Sequence, residues 1–235
     1  MPVQLPLDIR LRDSATFSSF LVTKNEQVVA ALEQFAIGCG DEFLYIAGAA
    51  GAGKTHLLNA VCHTAREQGM STVYLPLQRH AELSPAMLQG WDSMQMVCID
   101  DVHCIVGMPD WEEALFHLFN QLREQGVFLL ITGEQKPQAL SCQLADLCSR
   151  LSWGVVFGLQ LPDDEMKQRI MQQTASQRGL ELPDEVARYL LRHCSRELTD
   201  LVRLLDELDS HSLAQQRRLT IPFVSDFLSQ QPASR

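Results

Sequence analysis

The sequence of 235 residues contains no apolar stretch approaching the length of a bilayer span, and no charged-then-apolar leader opens it. A cytoplasmic protein that does not enter a membrane is the expectation. Basic charge is also scarce: 19 Lys and Arg against 29 Asp and Glu give a net charge of −10 and a pI of about 5.1. That balance argues against the chain alone gripping a nucleic-acid backbone, where a basic patch is the usual footprint. Protein partners are expected instead. The seven cysteines, at 39, 62, 98, 104, 142, 148 and 194, include no C-x-x-C and mostly sit inside apolar runs. Buried thiols in a reducing compartment follow, with neither a disulfide nor zinc. Internal repeats and low-complexity segments are absent too. What remains is a globular composition, 46% hydrophobic, long enough for one large domain or two unequal ones.

The chain is organised around Gly48-Ala-Ala-Gly-Ala-Gly-Lys54-Thr55, which fits the phosphate-binding pattern G-x-x-x-x-G-K-[ST] at every fixed position. The apolar run Phe43–Ala47 leads in as a buried strand, and 56–62 lead out with helical spacing. Glycines 48, 51 and 53 let successive N–H groups and the helix N-terminus face anionic oxygens. Gly51, Ala52, Gly53, Lys54, Thr55 and His56 are thus candidate nucleotide-binding residues. Lys54 is expected to reach the inner phosphates and the Thr55 hydroxyl to hold magnesium.

Downstream, Met94 to Ile99 reads as a buried strand ending in Asp100 and Asp101. A carboxylate at such a strand end holds the magnesium shell and a second acid can position the attacking water, so Asp100 joins Thr55 as a metal candidate and Asp101 is a catalytic one. The strand 127–131 ends on Thr132-Gly-Glu134 at the same edge; Thr132 either senses the outer phosphate or caps a turn. Upstream, 16–22 reads as a strand-like lead into a helix carrying Val28, Val29, Leu32 and Ala36, and Phe17 and Phe20 are either core or one wall of a base pocket. A strand is expected at 71–75, a weak helix at 81–88, and a helix with an apolar face at 110–122. A short helix from 143 ends in Arg150-Leu151, and 155–157 is β-branched strand. After Pro162 three helical patterns, 163–178, 183–194 and 197–208, imply a small helical domain.

Together, Gly51 to Leu58, Ile99-Asp-Asp-Val-His103, Glu113 to Asn120, Ile131 to Glu134, Ser149-Arg-Leu-Ser-Trp-Gly154 and Arg196-Glu-Leu198 resemble the AAA+ proteins, in the branch around the bacterial replication initiator DnaA. The resemblance covers nearly the whole chain. It implies an α/β fold: a three-layer P-loop domain with a parallel sheet at 14–161, then an all-α lid at 162–235. ADP or ATP with magnesium would lie between them, the base near Phe20, Leu21 and Val22. By the same resemblance Thr132 falls near the first sensor, Arg150 is similar to the arginine finger, and Arg196 to the second-sensor arginine.

Three departures accompany the likeness. No basic helix-turn-helix region follows the lid, so the chain is not expected to be the initiator itself. Thr-Gly-Glu replaces the family's usual Thr-Ser-Asp, and Leu198-Thr-Asp-Leu replaces a glycine-bearing continuation. Rapid hydrolysis at its own site is therefore not implied.

The extended tail 1–13 carries Gln4-Leu5-Pro6-Leu7-Asp8-Ile9, with prolines opposing helix and central strand. It either packs back on the core or is offered to a groove. It resembles the Gln-Leu-x-Leu motif by which proteins dock on the DNA polymerase sliding clamp, through Gln4, Leu5, Leu7 and Ile9. The implied function is a clamp-bound regulator that stimulates hydrolysis of DnaA-bound ATP, meeting DNA only through the clamp. Two alternatives remain: an autonomous AAA+ ATPase such as a helicase loader, and a nucleotide-sensing adaptor away from the clamp. A homo-oligomer also stays open.

Overall fold

The computed structural model describes residues 15–195, 197–215 and 217–230. Two compact units divide at Leu161/Pro162. In the first, five parallel strands, β1 (Phe43–Ala47), β2 (Thr72–Pro76), β3 (Met96–Asp100), β4 (Phe128–Gly133) and β5 (Val155–Gly158), form one sheet in the order β2-β3-β4-β1-β5.

Alternation along the strands produces the layers, because successive side chains point to opposite faces. Leu44, Ile46, Met96, Cys98 and Leu130 turn to one face, against α1 (Glu26–Ala36) and α2 (Lys54–Glu67). Tyr45, Val97, Ile99, Leu129 and Ile131 turn to the other, against α3 (Pro109–Glu124) and α4 (Ala145–Leu151). The three-layer α/β arrangement is the one the resemblance implied. Parallel register pairs Ala47 with Gly133 and Ile99 with Ile131, which gathers the ends of β1, β3 and β4 at one edge. The phosphate loop, both acids and Thr132 meet there.

The structure departs from expectation in three places in this unit. Residues 16–22 are not a strand: Phe17–Ser19 form a 3-10 turn, with Thr16 and Ser19 in a reciprocal capping box. That capping makes a turn cheaper than an added edge strand. Residues 81–88 are not an α-helix: they run from the end of one 3-10 turn, Leu77–Glu82, through extended Leu83 and Ser84 into a second, Pro85–Leu88; Pro85 donates no N–H and Ser84 caps a fresh start. The expectation of no disulfide also fails, since Cys142 and Cys148 are bonded with Cα atoms 6.2 Å apart. Cys142 lies in the loop entering α4 and Cys148 one turn inside it, a proximity no C-x-x-C count reveals. Of the free cysteines, 62 and 98 are buried, 104 and 194 are partly so, and 39 is exposed.

The second unit comprises α5 (Asp164–Gln177), α6 (Asp184–His193), α7 (Leu198–Gln215) and α8 (Ile221–Gln230) around Met171, Val186, Leu190, Leu205, Leu208 and Val224. Asp163 caps α5 by accepting the Met166 N–H at 3.0 Å. The fourth helix was not legible as a periodic pattern; its Pro222 is in the first turn, where a missing N–H costs nothing. No helix among the described residues is long and apolar enough to cross a membrane.

Candidate functional site

The phosphate loop owes its shape to glycines in conformations that side chains resist. Gly51 and Gly53 have φ of 75° and 96°, and a Cβ on Gly53 would stand 2.7 Å from the Phe20 ring. At Gly48 a Cβ would meet Leu159 and Ala52 at 3.1 and 3.2 Å. Lys54 is buried; its ammonium donates to the carbonyls of Gly48 (2.8 Å) and Ala49 (3.3 Å) and lies 3.6 Å from Asp101 Oδ1. The lead 16–22 is fastened over the loop by His56, whose Nε2 lies 3.0 Å from Thr16 O and 3.2 Å from Ser19 Oγ, with its ring against Phe20. Val22 and Phe20 both pack on the core beneath, while Leu21 is half-buried. Phe20 is therefore core and loop wall at once.

The acids form the polar floor. Asp100 Oδ2 accepts from Thr55 Oγ1 (2.7 Å) and Tyr74 OH (3.2 Å), and its Oδ1 accepts from Thr132 Oγ1 (2.5 Å). Thr132 Oγ1 in turn accepts the Asp101 N–H at 2.9 Å, so one hydroxyl couples the ends of β3 and β4. Burial first, then the neighbouring Asp101 charge, raises the Asp100 carboxyl above its ordinary range, against hydrogen bonds from Thr132, Thr55 and Tyr74. Asp101 has φ 57°, a left-handed turn an Asp tolerates. It accepts from Gln78 Nε2 at 2.6 Å through Oδ2, whereas its buried Oδ1 has no hydrogen-bond donor. A glycine cradle a side chain would fill, a buried ammonium and an acid oxygen left without a donor fit a phosphate–magnesium group. Lys54 and the loop N–H groups would hold the phosphates, and Thr55 with Asp100 the metal.

Arg150 stands elsewhere. It lies near the C-terminus of α4, and the Trp153 N–H donates to its carbonyl at 3.0 Å as the helix ends. Its guanidinium carbon is 3.9 Å from the centroid of the Trp153 ring and 5.8 Å from that of Phe116. Among the described residues no carboxylate pairs with it. Trp153 meets Phe119, which meets Phe43 at the start of β1. The phosphate loop follows the other end of that strand, so strand rise alone separates the two by roughly 15 Å.

A family model described as the bacterial DnaA ATPase domain matches residues 11–158. The chain belongs to that family. A second model, the Hda lid domain, matches residues 164–228, and the two together make this a DnaA-related AAA+ protein of the Hda type and a DnaA-related replication regulator. Domain III of the replication initiation protein DnaA from Thermotoga maritima is similar with a TM-score of 0.78 and 24% identity, over 92% of this chain and 95% of that one. AMPPCP-bound DnaA from Aquifex aeolicus is similar with a TM-score of 0.68 and 24% identity, over 83% of this chain and 66% of that one. The Holliday junction branch migration motor RuvB of Thermotoga maritima gives 0.68 and 15%, over 92% and 71%. At these identities the likeness is one of fold.

In this DnaA-family chain the structure thus gathers Gly51, Ala52, Gly53, Lys54, Thr55, Asp100, Asp101 and Thr132 at one edge, with Phe20 and His56 beside them and Arg150 apart. Gln4, Leu5, Leu7, Ile9 and Arg196 lie outside the described residues. Four polar contributors escaped the sequence reading. Tyr74 and Gln78 reach the acids from β2 and the turn after it. Asn25, buried ahead of α1, accepts the Gln160 N–H at 3.0 Å and so ties the lead to the exit of β5. Glu112, fully buried in the first turn of α3, accepts N–H groups from Gly107 (2.6 Å), Gln143 (3.2 Å) and Leu144 (2.7 Å). The one signal was an acid beside Trp111 at the apolar face of a helix.

Proposed function

We propose that this protein regulates replication initiation by stimulating hydrolysis of ATP bound to DnaA while docked on the DNA polymerase sliding clamp. The tail residues Gln4, Leu5, Leu7 and Ile9 dock on the clamp in the cytoplasm, and Arg150 acts on the nucleotide of a DnaA neighbour. Its own nucleotide, ADP or ATP with magnesium, rests on 48–55, Asp100 and Asp101 and keeps the AAA+ face in shape. The observation that carries the reading is the place of Arg150: among the described residues no carboxylate consumes its charge, and it sits at the end of the sheet opposite its own phosphate loop. A guanidinium there serves a phosphate on another molecule better than one on its own.

In the hydrolysis proposed, water attacks the γ-phosphorus of DnaA-bound ATP and the bond to the ADP oxygen breaks, releasing ADP and phosphate. Arg150 stabilises the charge developing on the transferred group, an effect worth about 10³ to 10⁵ in rate in other systems. Clamp tethering raises the local concentration of one partner around the other, so two modest affinities suffice. Single-turnover hydrolysis of DnaA-bound ATP, with DNA-loaded clamp present, tests this. Arg150→Ala should slow it by roughly a hundredfold or more with nucleotide and clamp binding intact, because the charge acts on the transition state. Full hydrolysis by the variant ends the finger reading. Substantial steady-state turnover by the protein alone favours an autonomous ATPase instead, and stimulation that needs no clamp favours an adaptor.

A further inference from the structure

An arginine that must meet a phosphate on another molecule has to be held without having its charge offset. Arg150 is held by a ring. Its guanidinium lies 3.9 Å from the Trp153 centroid, and the guanidinium of Arg123, from α3, lies 4.5 Å from the same ring. Neither arginine has a carboxylate partner among the described residues. A carboxylate would offset the charge and would have to be released before a phosphate could bind. An aromatic face engages the flat side of the guanidinium and leaves its in-plane N–H donors available.

The ring itself is fixed from several sides. It meets Phe119 near edge-on, at 6.5 Å and 81°, and Phe119 is buried and edge-on to Phe43 at 5.0 Å and 86°. The Trp153 backbone N–H donates to the Arg150 carbonyl at 3.0 Å, which fixes the main chain that carries the ring. The next residue, Gly154, has no room for a side chain against Phe43, which anchors the backbone just beyond the ring. Yet Trp153 is 51% exposed, far more than a tryptophan recruited for core packing. An anchored, half-exposed ring carrying two cations that pair with no carboxylate among the described residues is a support for those cations.

We propose that Trp153 is the positioning residue for Arg150: its π-face, braced by Phe119, sets the guanidinium in the direction a neighbour's phosphate approaches. The inference rests on the trans role of Arg150 proposed above. It extends to the partner's chemistry, since two guanidiniums on one ring favour an anionic group such as a nucleotide phosphate.

Four variants of the full-length protein test it: Trp153→Phe, Trp153→Leu, Trp153→Ala and Arg150→Ala. Each is assayed for single-turnover hydrolysis of DnaA-bound ATP on DNA-loaded clamp, at rising variant concentration, together with its melt and ADP affinity. Phenylalanine keeps a π-face and should stay within about threefold of the parent. Leucine keeps apolar bulk and loses the face, and like alanine it should slow the saturating rate by roughly tenfold, with half-saturation, melt and ADP affinity little changed. Arg150→Ala should be slower still. If Trp153→Leu is as fast as the parent while Arg150→Ala is slow, the positioning role is wrong and the trans role stands. If phenylalanine and leucine variants lose rate equally with a lowered melt, the ring is only packing and the inference is overturned. If Arg150→Ala keeps the full rate, the trans role falls and this inference with it.

Discussion

Lys54 and Asp100 both belong to the polar floor, but their substitution should read out differently, one in nucleotide affinity and the other in the stability of the empty protein. The Lys54 ammonium is the one fixed cation the loop carries, and it already faces the carbonyls of Gly48 and Ala49. Lys54→Ala should reduce ADP affinity below detection in a calorimetric titration; unchanged affinity would remove the site assignment. Asp100 is a buried acid raised by burial and by Asp101. A carboxyl whose pKa is raised on folding holds its proton more tightly folded than unfolded. Its charge therefore opposes folding above that pKa, and the opposition lifts as the pH falls through it. Asp100→Asn should stabilise the nucleotide-free, chelator-treated protein at neutral pH by about 1 kcal/mol, or a few degrees in melting midpoint. The gain should shrink on acidification, and magnesium-dependent nucleotide affinity should fall. A midpoint that drops at neutral pH would show the charge is compensated.

Among the elements, α4 is the one whose placement decides where Arg150 stands, and it is only seven residues long. A helix of two turns holds its position through tertiary contacts, since intrinsic propensity cannot sustain it. Glu112 supplies them by accepting the Gln143 and Leu144 N–H groups at the entry of α4 and the Gly107 N–H ahead of α3. Glu112→Ala takes the shared acceptor from three N–H groups on exposed or half-buried residues and should cost about 2 kcal/mol in urea unfolding. Glu112→Gln keeps an oxygen and should cost less than half of that. Equal losses would mean that charge, and not acceptor count, holds the loop. Leu147 and Leu151, fully buried on the inner side, then fix the rotation of α4 and leave Arg150 beside the Trp153 ring.

For the whole molecule, the proposed function requires a nucleotide module joined to a tether. Gln4→Ala with Leu5→Ala should abolish binding to immobilised clamp and leave the melt and ADP affinity unchanged, because extended motifs concentrate their energy in a few anchors. A lowered melt with clamp binding retained would make the tail part of the core. The phosphate loop, the β3 acids and the five strands were legible from residues alone, because local backbone geometry and short apolar runs are written in contiguous sequence. So was the helical character beyond Pro162, through its spacing. The bend at 16–22 was not, because the Thr16–Ser19 caps and the His56 contact outweigh the strand preference of Phe and Val. Nor were the Cys142–Cys148 bond, the bracing by Glu112 or the stacking of Arg150 on Trp153. Two of the three partners of Glu112, Gln143 and Leu144, come from a loop about thirty residues away, and the bracing of Trp153 comes from α3 and β1. Motif and periodicity determine which residues can do chemistry; the approach of distant segments decides whether a charge is neutralised, buried or left facing a neighbour.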